Sequence, residues 1–201
     1  MRLKPLRLVS LSVALIGLVP AFAADLHVKP AAEYPHHQTS EGVTIAVQPY
    51  ETDDQAKEAF GKNNPFRLGV LPVLVVIQNG GKDAIRVERI RPVYVLPEGT
   101  RVENTPATEV KYIHGARQPR ATPGPLGGIG ISRTSKNPLG EWEIEGRAFG
   151  AQMIPPGQSA SGFLYFQVPQ SSAAASIYLS GLENAVTGKE LYYFEIPLSG
   201  K

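Results

Sequence analysis

Histidines and carboxylates are the side chains best able to move protons or hold a metal, and the chain carries four histidines, His27, His36, His37 and His114. Three of them fall in a polar N-terminal stretch and His114 stands alone at an expected helix end, so no pair has the spacing of a helical zinc motif. A solvated His-His dipeptide and a helix C-terminal histidine account for them. Glu141, Glu143 and Glu145 would share one face if they lay in a strand, and could then attract calcium. Three single carboxylates without a ligand loop or neutral oxygens make a poor site, and a solvated strand face is the simpler reading. No metal and no cofactor is expected.

Gly157-Gln158-Ser159-Ala160-Ser161-Gly162 has the outline of a nucleophile elbow. That pattern needs glycine at position 161 and a turn that opens a helix, whereas here the turn leads into strand-like sequence. Gly124 to Lys136 invites comparison with a phosphate loop, yet neither G-x-x-x-x-G-K-[ST] nor G-x-G-x-x-G fits, because Arg133 stands where the last glycine of the second would be. With no catalytic constellation, the expectation is a protein that is not an enzyme. The alternative is a hydrolase whose site would need two or more of His114, Glu141, Glu143, Glu145 and Ser159 brought within hydrogen-bond reach.

Two features suit binding rather than chemistry. Arg117, Arg120, Arg133 and Lys136 give residues 115–138 four positive charges and no negative one, which suits docking to an anionic partner such as a lipid head group, a cell-wall polymer or an acidic protein face; solvated charge is the plainer reading. Tyr165, Tyr178, Tyr192, Tyr193, Phe163, Phe166 and Phe194 gather toward the C-terminus, where aromatics either fill a core or line a sugar-binding face. Both alternating phases of Phe163 to Val168 are apolar, which predicts a strand covered on two sides.

What positions these residues begins with export. Basic Arg2, Lys4 and Arg7 precede an apolar stretch from Leu8 to Val19, too short to span a membrane, and the small-residue run Ala21-Phe22-Ala23 follows. Residues 1–23 read as a cleaved signal peptide, with Ala24 as the mature start, because cleavage one residue later would put Phe22 in a pocket for small side chains. The product is expected to be exported, to a periplasm or beyond the cell, with no membrane span after cleavage. Cleavage removes three of the 20 Lys and Arg and none of the 18 Asp and Glu, turning the formal charge from +2 to −1. Total charge therefore points to no nucleic-acid partner. With no cysteine in the chain, a disulfide framework, a thiolate metal site and an acylated lipoprotein anchor are all excluded.

Residues 24–41 lack apolar periodicity and read as a flexible leader, with one domain over 42–201. Val43, Ile45 and Val47 alternate as a strand that Pro49 ends. Thr52 and Gln55 form a capping box with Asp53 and Asp54 between them, and Gly61 closes the short helix so begun. The aliphatic run from Val70 to Ile77 predicts a strand buried on both faces. Asn79-Gly80-Gly81-Lys82-Asp83 then suggests a hairpin to Ala84–Leu96, with a bulge where the phase shifts between Val87 and Ile90. Thr105-Pro106 opens a helical turn through Ile113. Nine glycines and prolines make residues 115–138 a long loop. Residues 139–149 fit helix and strand equally, and strand signals return at Ala160–Val168, Ser176–Leu182 and Leu191–Leu198.

Leu71 to Asn79 with its turn, Ile154-Pro155-Pro156-Gly157-Gln158 running into Phe163-Leu164-Tyr165-Phe166, and Thr187-Gly188-Lys189 to Phe194 together resemble the immunoglobulin-like, telokin-like domains of bacterial secreted proteins and lipoproteins. The resemblance implies a binding or spacer module and assigns no functional residue. The expected fold is mainly β: an antiparallel immunoglobulin-like β-sandwich with one or two short helices and a long Gly/Pro-rich loop. The expected function is that of a secreted, non-enzymatic module that binds an envelope protein or polymer.

Overall fold

A computed structural model describes residues 26–61, 63–113, 121–123, 129–131, 137–140, 142–168 and 174–199. The strands are β1 (His37–Ser40), β2 (Val43–Pro49), β3 (Leu71–Asn79), β4 (Ile85–Arg86), β5 (Arg91–Val95), β6 (Arg101–Thr105), β7 (Ala121–Pro123), β8 (Ile129–Ile131), β9 (Met153–Ile154), β10 (Ser159–Phe166), β11 (Ser176–Ser180), β12 (Glu183–Asn184) and β13 (Phe194–Pro197). The helices are α1 (Asp53–Phe60), α2 (Ala107–Val110) and α3 (Trp142–Gly146). The fold is thus mainly antiparallel β with a few short helices.

Eight strands run in the order β1-β2-β3-β10-β6-β5-β11-β13. β6 belongs to both halves: Thr105 and Asn104 pair with Tyr165 and Phe166 of β10, while Glu103, Val102 and Arg101 pair with Val93, Tyr94 and Val95 of β5. The sheet folds over at this strand, so its two ends meet, and the Glu195 amide of β13 donates to Gln38 Oε1 of β1 at 2.9 Å. A sandwich results, β1-β2-β3-β10 facing β6-β5-β11-β13.

Period-two alternation explains how one layer serves two cores. From β3, Val73, Val75 and Ile77 enter the space between the sheets, where they meet Tyr94, Ile177, Leu179 and Phe194. Leu74 and Val76 point the other way and join Phe163 and Tyr165 of β10 under a helical layer of Phe60, Val110, Leu139 and Ile144. The molecule therefore has three layers, and the both-faces burial read from Val70–Ile77 holds, as does that read from Phe163–Val168 as far as Phe166, with Gln167 exposed. Tyr94, Phe166 and Phe194 are likewise buried, as their phases predict.

Three expectations change. Ala84–Leu96 does not form a hairpin with β3, because β2 and β10 already occupy both edges of that strand. The chain crosses to the other sheet instead: Ile85–Arg86 joins a small β12-β4-β9 sheet, a turn follows, and Arg91–Val95 pairs with β6 and β11. The phase shift at Val87–Ile90 marks this change of sheet rather than a bulge, with the Ile90 amide donating to Val87 O at 3.2 Å. The segment read as a flexible leader is part of the fold from Leu26 onward: Ala31–Glu33 forms a 3-10 turn, Ala31 and Tyr34 are buried in the helical layer, and β1 pairs with β2. The choice left open for residues 139–149 falls to helix, with Pro138–Gly140 a 3-10 turn and Trp142–Gly146 α3. Within the expected loop 115–138, β7 and β8 pair, Thr122 opposite Gly130.

The capping box of α1 forms as read, with Thr52 Oγ1 accepting from the Gln55 amide at 3.3 Å and Gln55 Oε1 accepting from the Thr52 amide at 3.1 Å. Gly61 follows at φ 67°. Pro106 precedes α2 and turns continue to Ile113, also as expected.

Candidate binding face

Among the described residues no group of three or more histidines, aspartates and glutamates could hold a metal. His37 Nδ1 lies 2.6 Å from Tyr34 O, and His36 is half-buried. His114, Glu141 and the four cations Arg117, Arg120, Arg133 and Lys136 lie outside the described residues. The helical state of α3 removes the shared strand face assumed for the glutamates. Glu145 instead accepts from Lys111 Nζ at 2.9 Å, which pushes the Lys111 ammonium above its ordinary range. Ser159 opens β10 opposite Gln78, and among the described residues it shares no hydrogen bond with Glu143 or Glu145.

Two clefts lie beside α1. In one of about 300 Å³, lined by His36, Gln48 and Glu51, Gln55 is taken up by the capping box. In another of about 520 Å³, Asp53 receives Asn64 Nδ2 at 2.8 Å and pairs with Arg67.

The outer face of β6-β5-β11-β13 differs. Ile177 and Leu179 of β11 point into the core, so Ser176, Tyr178 and Ser180 point out. The same alternation sends Arg91 and Val93 of β5, Arg101 and Glu103 of β6, and Glu195 of β13 to this surface. Register fixes Tyr178 opposite Val93 on one side and Glu195 on the other. Tyr193 stacks against Tyr178 with centroids 5.2 Å apart at 27°, and Arg101 Cζ sits 5.0 Å from the Tyr178 centroid. These three form an aromatic and cationic row across the sheet, with Tyr193 54% exposed. Next to it a cleft of about 610 Å³ is lined by Arg91, Val93, Arg101, Glu103, Asn104 and Tyr178. That volume lies within the roughly 300–1,000 Å³ usual for small-molecule sites. Among the described residues Arg91 and Glu103 make no side-chain hydrogen bond or ion pair.

Of the other expected platform residues, Phe163, Tyr165, Phe166 and Phe194 are core, while Tyr192 is exposed with Lys189 Nζ 5.6 Å from its ring centroid. The signal that separates the two groups is in the sequence: in Ser176-Ile177-Tyr178-Leu179-Ser180 the tyrosine shares its phase with the serines, not with the aliphatics.

No protein-family model matches the chain, and no curated protein does. Among solved structures it is similar to the yjhA protein from Bacillus subtilis, at 11% identity and TM-score 0.38 over 72% of this chain and 79% of that one. It is also similar to MPT63, a secreted protein from Mycobacterium tuberculosis, at 12% identity and TM-score 0.35 over 76% and 82%. A further likeness is to an uncharacterized beta-sandwich protein from Clostridium difficile 630, at 12% identity and TM-score 0.31 over 81% and 90%. The fold described above rests on the strand pairings of this chain, and these likenesses assign it no function.

Proposed function

We propose that the chain is an exported, non-enzymatic binding module of the cell envelope, and that its ligand surface is the outer face of β6-β5-β11-β13. The observation that carries this reading is the row Arg101, Tyr178 and Tyr193, held on a sheet whose opposite face is core. Rings in the polar phase of a strand do nothing for that core, and rigid aromatic area beside unengaged polar groups suits recognition. Kinship with telokin-like, immunoglobulin-like domains belongs to the same proposal, supported by the sandwich and by the Pro155-Pro156-Gly157 turn into β10. A pull-down with washed envelopes tests the face. Tyr178→Ala with Tyr193→Ala should abolish retention while circular dichroism stays native, and undiminished retention overturns the reading.

A second reading rests on one observation of sequence, the four cations and no acid in residues 115–138. Arg117, Arg120, Arg133 and Lys136 would then hold an anionic partner. Reversing those charges should weaken retention as added salt does, since exposed charges are screened over about 8 Å at physiological ionic strength. A charge-reversed protein that binds as well as wild type makes the segment a passive connection.

A further inference from the structure

The proposed face has a chemistry that narrows its occupant. Arg91 and Arg101 are balanced by Glu103 and Glu195, so the surface has no net charge with which to draw in a polyanion or a polycation. Its apolar area is aromatic and narrow, with Val93 beside Tyr178, and no broad aliphatic patch of the kind that forms the desolvated centre of a protein interface. What it offers is a pair of stacked rings flanked by planar guanidinium and carboxylate groups, those of Arg91 and Glu103 being unengaged among the described residues, while Asn104 Oδ1 accepts from the Tyr165 amide at 2.9 Å.

The ligand class that matches is one with an apolar C–H face and a rim of paired hydroxyls. Resting on the reading of this face as the ligand surface, we infer that it binds an uncharged polysaccharide chain. One sugar ring lies against Tyr193, the exposed end of the Tyr178–Tyr193 stack, and the next extends into the cleft, where Arg91 and Glu103 meet its hydroxyls. Planar side chains accept or donate two hydrogen bonds in one plane, which suits vicinal hydroxyls. The sheet holds these groups in a fixed spacing across three strands, so the site is preformed.

Two-dimensional NMR of the mature protein titrated with cellohexaose and with the hexamer of N-acetylglucosamine tests this. Shifts confined to β5, β6, β11 and β13 are expected with at least one of the two. Tyr178→Ala should weaken that affinity about tenfold or more, the size of an aromatic contact with its buried area. Tyr178→Phe should bind within about twofold of wild type, because the ring and not the hydroxyl holds Tyr193 in place. Raising salt from about 0.05 to 0.5 M should change affinity less than about twofold, since no ion pair is formed. If neither oligosaccharide shifts this face at millimolar concentration, the polysaccharide inference is overturned. If in that case Tyr178→Ala still abolishes retention on washed envelopes, the face remains the ligand surface for another class of partner. If Tyr178→Ala is retained like wild type, the face reading itself fails.

Discussion

Gly162 is set by distance rather than by backbone freedom. Its strand, β10, passes beneath the chain at 147–149, where the Phe163 amide donates to Arg147 O at 2.8 Å and the Phe149 amide donates to Phe163 O at 3.0 Å. A Cβ on Gly162 would fall 2.5 Å from Phe149 Cα and 2.6 Å from its nitrogen, both backbone atoms that cannot turn aside. Gly162→Ala should therefore destabilise by about 3 kcal/mol or more. The contrast is Gly146→Ala, where the near atoms belong to the exposed Trp142 ring, 3.0 Å away and able to swing; a helical alanine there should be neutral or mildly stabilising. Urea midpoints of the two variants check both. Buried tyrosines add a pH dependence. Burial, with Glu58 adding to it, pushes the Tyr50 hydroxyl from its ordinary 10.0 to about 12, and burial also raises Tyr165, whose hydroxyl donates to Ile144 O at 2.7 Å. Between pH 10 and about 12 the native state holds protons that the unfolded chain releases, so stability is intact below pH 10 and falls as pH rises through that window. Tyr50→Phe should leave neutral stability nearly unchanged and flatten part of the decline, as urea midpoints on either side of about pH 11 would show.

At the scale of elements, Asn79 ties the turn that follows it in sequence to the distant strand β9. It is fully buried, its Nδ2 donates to Asp83 O and Ile154 O at 2.9 Å each, and its Oδ1 accepts from the Gly81 amide at 2.9 Å. Asn79→Ala strands two carbonyls and an amide at once and should cost about 2–4 kcal/mol in thermal or urea unfolding. Thr52→Ala, which removes one exposed cap from α1, should cost only about 1 kcal/mol by the same measurement. The difference between these two residues is also the difference between what the sequence discloses and what it conceals. The α1 cap is local: Thr52, Gln55 and Gly61 lie within one helix length, and their types alone specify the turn. Burial of β3 and of the second half of β10 is legible for the same reason, since both phases are apolar over Leu71–Ile77 and Phe163–Phe166. Pairing is not local. A Gly-rich turn after Asn79 favours a hairpin on sequence adjacency, but β3 takes its neighbours from residues 43–49 and 159–166. Likewise Glu143 and Glu145 look alternately exposed in either state, and only the docking of Ile144 under β10 makes the segment a helix. The candidate face is half legible: Tyr178 stands in the polar phase, but its stacking on Tyr193 needs the β11–β13 register.

At the scale of the molecule, the two cores depend on a segment whose composition resembles a linker. Residues 26–41 have no apolar period, yet Ala31 and Tyr34 are buried against the outer face of the first sheet, and β1 supplies the partner for one edge of β2. β1 also carries Gln38, the contact that joins the first strand of the folded-over sheet to the last. A signal cut that leaves Ala24 as the first residue, the start expected from Ala21 and Ala23, retains every described residue, and intact-mass analysis of the exported protein should show that start. A chain shortened to begin at Glu41 loses the Tyr34 ring and the whole of β1. It should be destabilised by more than about 3 kcal/mol, since a buried aromatic and four strand residues leave together. It should also self-associate, because β2 then presents unpaired N–H and C=O groups from Val43 to Ala46. Light scattering across a concentration series, beside a chain beginning at Ala24, separates the possibilities. A true spacer would leave the shortened chain monomeric with an unchanged urea midpoint, whereas a structural strand makes its scattering rise with concentration and its midpoint fall.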